Sequence, residues 1–161
     1  MRARENSRRR RGASLVETGL TLTIFLSLCV GTIDLAVGVY RQHVLTEAAR
    51  QAARVAAVHG ANAKSTWNGG SWGPSTFSGT ADTSGYTSGS ANYYQAQAVS
   101  SYLMGLTPST VNITMTWPDG NNSVESRVKV HLTSNWTPIM TWVFGSPTLT
   151  LAADSQMPIT H

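Results

Sequence analysis

Gly12 and Glu17 form the arrangement in this chain that most suggests chemistry. Four arginines, Arg8, Arg9, Arg10 and Arg11, run into Gly12, and Glu17 then interrupts an apolar stretch that continues past Val30. A carboxylate inside a membrane helix costs roughly 2.5–3.5 kcal/mol on insertion scales, so it is rarely there without a task. A glycine at a charge boundary, with a glutamate five residues later, suggests hydrolysis of the bond between Gly12 and Ala13. The amino group freed on Ala13 would lie close enough to pair with a carboxylate, and such pairing offsets the cost of holding the charge in a low dielectric.

No other grouping in the sequence has comparable promise. His59, His131 and His161 accompany Asp82, Asp119, Glu125 and Asp154 in the C-terminal part. None of them recurs at ligand spacing with a third partner, and neither a G-x-S-x-G elbow nor a phosphate loop is present. Cys29 is the single cysteine and lies within the apolar run, which excludes an intramolecular disulfide. The expectation is a protein that is not an enzyme, with no metal, no cofactor and no small-molecule substrate.

Charge is divided unevenly. Residues 1–12 hold six arginines against Glu5, a net of +5, whereas residues 13–161 hold six basic groups against seven acids, a net of −1. The basic character therefore belongs to the leader, and nothing after Gly12 has the clustered Lys/Arg of a nucleic-acid footprint. Arginines beside an apolar run instead hold the start of a chain on the cytoplasmic side of a membrane.

These groups must be positioned by a long helix. The 16 residues from Thr18 to Ile33 carry no charge. They span about 24 Å as a helix, and Ala13 to Val16 and Leu35 to Tyr40 extend the run toward the ~20 residues a bilayer core needs. Glu17 and Asp34 must then sit near the interfaces or find partners. Helical character continues to Val58, with Ala48, Ala49, Ala52, Ala53, Ala56 and Ala57 on a small-residue face and Gly60 as the stop. One helix of about 45 residues, roughly 70 Å long, would project from the bilayer. Its alanine face would serve neighbouring subunits in one sector and the chain's own C-terminal part in another. A secretory signal cut near Gly31 is a rival pattern.

Beyond the helix, residues 61–91 are rich in Gly, Ser and Thr and read as a long loop whose spaced aromatics dock in part. Asn92 to Leu106 reads as a second helix, with Ala96, Val99, Tyr102 and Leu103 on one face. Val111 to Trp117 and Val124 to Trp136 alternate as strands about the turn at 118–122, and Thr148 to Met157 returns as a third. Ile139 to Phe144 reads as an apolar knob or short helical turn. The fold class is α+β: a long membrane-spanning helix continuing into a small domain with a second helix and a three-stranded antiparallel sheet. The segments are a basic cytoplasmic leader (1–12), a transmembrane and stalk helix (13–60), the loop (61–91) and an exported head (92–161).

RRRRGASLVE, its apolar continuation and YRQHVLTEAARQAARVAAVHG resemble the TadE-like family of tight-adherence (Flp/Tad) pilus proteins. Arg11, Gly12, Ala13, Val16 and Glu17 match the family's opening. Asp34 and Gly38 stand at its D-x-G-like patch, and Ala48, Ala49, Arg50, Ala53, Arg54 and Ala57 match its helix. The resemblance covers residues 8–60 firmly and 92–157 loosely. It implies a type IV pilin-like minor pilin or pseudopilin of the bacterial inner membrane, crossing once, with its head periplasmic or on a pilus. A prepilin peptidase would cut between Gly12 and Ala13, and Glu17 would dock subunits against a neighbour's amino terminus. Implied partners are other pilin subunits, Tad inner-membrane assembly proteins, the peptidase and membrane lipid. Thr18 departs from the pattern, since an aromatic residue usually follows the glutamate. An uncleaved, single-pass anchored binding or scaffold protein is the alternative.

Overall fold

The computed structural model describes residues 2–141, 145 and 148–160, with side chains from residue 14 onward. Helix α1, Arg2–Ala57, runs unbroken for 56 residues, about 84 Å at 1.5 Å per residue. Over residues 15–28 it presents apolar side chains around the helix, with Leu15, Leu20, Phe25 and Leu28 all exposed. Thr18, Thr21, Thr23 and Thr32 each donate a hydroxyl proton to the carbonyl one turn back, at 2.8–2.9 Å. These hydroxyls are thereby satisfied within the helix, and the stretch from Ser14 contains a window long and apolar enough to cross a membrane.

The upper half is covered. Leu45 and the alanines at 48, 49, 52, 53, 56 and 57 are all at most 5% exposed, against the chain's own sheet and second helix. Small side chains let the sheet approach the helix axis, and Gln42 Nε2 adds a 2.8 Å bond to the Ala152 carbonyl. The expected sharing of this face with neighbouring subunits is therefore corrected: all six alanines are occupied by the head, and the helix above the apolar run is its central core element.

Helix α1 ends at Ala57, ahead of Gly60, the expected stop. Protonated Nδ1 of His59 donates to the Val55 carbonyl at 2.8 Å, and its ring stacks on Trp72 with centroids 4.2 Å apart. The Thr160 N–H donates to the Ala57 carbonyl at 2.9 Å, tying the C-terminal strand to the helix end.

The sheet has four antiparallel strands in sequential order, not three: β1 (Phe77–Thr80), β2 (Val111–Thr116), β3 (Arg127–Trp136) and β4 (Leu149–Pro158). Strand β1 lies in the Gly/Ser/Thr-rich segment, where FSGT shows no apolar alternation. It is held by the Tyr86 hydroxyl, which accepts from the Thr80 N–H at 3.1 Å and donates to the Thr80 carbonyl at 3.2 Å. Gly79 permits this, because any side chain there would collide with that hydroxyl. The same segment contributes Trp72, 1% exposed, to the core. On β2 and β3 the alternation holds: Ile113, Met115, Val128, Val130 and Leu132 face the core.

Helix α2 spans Ala91–Ser100, with the Ser90 hydroxyl accepting the Tyr93 N–H at its start. It stops short of Leu106, so Tyr102 leaves the apolar face and is 41% exposed, while Leu103 and Leu106 are buried in the turn that follows. Of the apolar knob, residues 142–144 lie outside the described residues.

Candidate functional site

Glu17 lies on the exposed lower half of α1. Its side chain borders a shallow groove with Thr18, Thr21, Leu22 and Phe25 on the same helix face. Among the described residues it has no ion-pair or hydrogen-bond partner. Arg8, Arg9, Arg10, Arg11, Gly12 and Ala13 belong to the helical backbone of α1, but their side chains lie outside the described residues. Among the described residues Glu17 is thus without a counter-charge, and its proximity to the Gly12–Ala13 bond follows from the helix alone: Ala13 stands one turn before it.

Asp34, the other carboxylate of the apolar region, has the opposite surroundings. It is 2% exposed. Its two oxygens accept the N–H of Ile139 at 3.1 Å and of Met140 at 2.7 Å, from the connection that follows β3. One turn further along, the Trp136 indole lies directly on Gly38; a Cβ there would stand 2.7 Å from the ring. One turn earlier, Met140 Sδ lies over Gly31. Gly31, Asp34 and Gly38 therefore make one face, two small residues flanking an acid, on which the end of the head is seated. Hydrogen bonds to a charged acceptor contribute about 1.5–3 kcal/mol, so this contact fixes the head's position relative to the apolar run. Asp34 and Gly38 stand at the patch of the family resemblance, whereas nothing in the sequence signals the loop that binds them.

The polar residues of the head pair locally. His131 Nδ1 lies 2.9 Å and Lys129 Nζ 3.2 Å from Asp154 Oδ1 across the β3–β4 ladder. The hydrogen bond from His131, and then that from Lys129, holds the Asp154 carboxyl below the usual range. Arg127 grips Asp119 through its side chain and its backbone N–H, closing the β2–β3 turn, with Nη2 at 2.6 Å and the N–H at 2.7 Å. The guanidinium bonds lower the Asp119 pKa, and the carboxylate in turn raises that of Arg127. These pairs lie on the wet face of the sheet, and no group of three or more His, Cys, Asp or Glu among the described residues could hold a metal ion.

Residues 12–54 match the family model of TadE-like proteins. The matched segment begins at Gly12 and takes in Glu17, Asp34, Gly38 and the alanine face as far as Arg54. The match lies entirely within α1, while the sheet and α2 lie beyond it. No curated protein and no solved structure matches the chain.

Proposed function

We propose that the chain is a minor pilin or pseudopilin of a Tad/Flp-type pilus, working by assembly rather than catalysis. A prepilin peptidase cuts between Gly12 and Ala13, the polyarginine leader stays cytoplasmic, and the head faces the periplasm or the fibre surface of a bacterial cell. The observation that carries this reading is the contrast along α1. The upper alanine face is used up within the chain, whereas the apolar run from Leu15 to Leu28 is exposed and bears a carboxylate, Glu17, with no partner among the described residues. Such a helix packs with similar helices, and Glu17 finds its counter-charge in the Ala13 ammonium of a neighbour. Partners are thus other pilin subunits and Tad inner-membrane proteins.

The test is Glu17→Ala in cells that carry the assembly system. Processing to a chain that begins at Ala13 is expected to persist by intact mass, while incorporation into fibres or complexes falls; normal incorporation refutes the docking role. The uncleaved anchor is favoured by one observation, Thr18. Its hydroxyl bonds the Ser14 carbonyl at 2.9 Å in the place where an aromatic residue is usual. A full-length mass in the presence of an active prepilin peptidase would decide for that anchor.

A further inference from the structure

We propose that the underside of the head, formed by Ile139 and Met104, is embedded in the outer interface of the membrane. Asp34 then lies within the lipid-facing zone, covered by the head's own loop. This deepens the single-span reading and rests on it.

The apolar exposure of α1 does not stop at Asp34. Leu35 is 57%, Val39 56% and Tyr40 51% exposed. From Thr18 to Tyr40 the helix extends for 23 residues, about 34 Å, a better match to a tilted helix in a hydrocarbon core of about 30 Å than the uncharged run alone. On that placement Asp34, six residues before Tyr40, lies about 9 Å inside the outer end of the apolar surface. A carboxylate at such a depth needs partners that exclude lipid. The connection after β3 supplies them, since Ile139 and Met140 donate their N–H groups to the two oxygens of Asp34.

The two residues that cover Asp34 are disposed differently. Met140 is 7% exposed, turned in over Gly31, whereas Ile139 is 77% exposed. A lone exposed isoleucine on a loop is unremarkable. Here it is anchored to a membrane-spanning helix within its apolar zone, so the surface next to it is lipid. Met104 repeats the pattern one level higher. The Tyr40 hydroxyl donates to the Met104 carbonyl at 3.1 Å, and the Met104 side chain is 74% exposed. A tyrosine with its ring in the apolar band and its hydroxyl bonded upward marks the interface, where such side chains concentrate. Apolar surface on the head is therefore continuous with that of the span, and lipid is its occupant.

Depth-dependent quenching tests this with the full chain. In a Cys29→Ser background, single cysteines replace Leu28 in the span, Ile139 on the loop, or Val124 at the opposite end of the head, and each carries an environment-sensitive fluorophore. The protein is reconstituted in phosphatidylethanolamine–phosphatidylglycerol vesicles with nitroxide-bearing lipids. Probes at 28 and 139 are expected to lose about half their emission, with 139 responding more to shallow nitroxides, while 124 is unaffected. Quenching at 28 with 139 behaving like 124 overturns the embedded underside and leaves the span intact. No quenching at 28 overturns the span and the proposal with it. Shielding at 139 only at high protein-to-lipid ratio, without nitroxide quenching, would assign this surface to a second copy and equally overturn it.

Discussion

Helix α1 is one element with two environments, and its two carboxylates show what separates them. Glu17 and Asp34 both interrupt or border the same apolar run. The lower one has no partner among the described residues, whereas the upper one is enclosed and accepts two backbone N–H groups. The two halves of the helix differ in the same way. Above Tyr40, small side chains are packed under a sheet; below it, large side chains are bare. One helix thus serves as a domain core over part of its length and leaves an apolar surface exposed over another. The difference also limits what mutations can reveal, since changes above Tyr40 or at the Gly31, Asp34 and Gly38 seat touch the head, whereas changes at the exposed apolar positions below leave its contacts intact.

The sharpest way to break that comparison is a pair of identical truncations. Leu45 is fully buried and Leu26 is 53% exposed. Leu45→Ala is expected to cost the head about 2–5 kcal/mol through lost burial and the cavity left behind, which shifts Tm by roughly 4–8 °C per kcal/mol in a domain of this order. Leu26→Ala should leave the head's unfolding in detergent unchanged. Thermal melts followed by tryptophan circular dichroism give both values, and equal losses would show that the halves are not independent.

A smaller effect distinguishes the carboxylates themselves. Asp34→Ala removes the acceptor of two N–H groups and is expected to destabilise the seat of the head by about 1.5–3 kcal/mol. Release of the 139–140 connection should accompany this, read as faster amide exchange at Ile139 and Met140. Glu17→Ala should leave both the melt and the exchange unaltered. Slow exchange at those two amides in the Asp34 variant would mean that Trp136 on Gly38 is sufficient to hold the loop.

The readable features were those with a strong local pattern. The long helix follows from an uncharged run joined to an alanine periodicity, and the β2–β3 hairpin follows from alternation on both sides of Asp119-Gly120. Strand β1 was hidden because Phe77 and Gly79 owe their conformation to Tyr86, a contact that no window of FSGT contains. The seat is half legible: Asp34 and Gly38 stand out through the family resemblance, but their partners, Trp136 and the 139–140 N–H groups, are about a hundred residues away. The destination of the alanines was equally non-local, because a small-residue face fits a neighbouring helix or a covering sheet alike. Glu17 is the converse. Its meaning is most legible in sequence, and the structure of one chain contributes only its exposure and its lack of a partner among the described residues.

The smallest expected effect concerns acid, and it too divides the molecule. Asp119 and Asp154 both lie on the head, and both are held below the ordinary carboxylate range by their cationic and hydrogen-bonding neighbours. A carboxylate whose folded pKa is depressed contributes stability that is fully present above its unfolded value, about 3.9, and is lost as pH falls through the lower folded value. The head should therefore lose stability as pH falls below about 4, by a modest amount because these pairs are exposed. Asp119→Asn should flatten that acid limb while lowering stability slightly at neutral pH, since Arg127 loses its charged acceptor. Melts of the wild type and the variant between neutral pH and acid measure this directly. An unchanged acid slope in the variant would assign the loss to other groups.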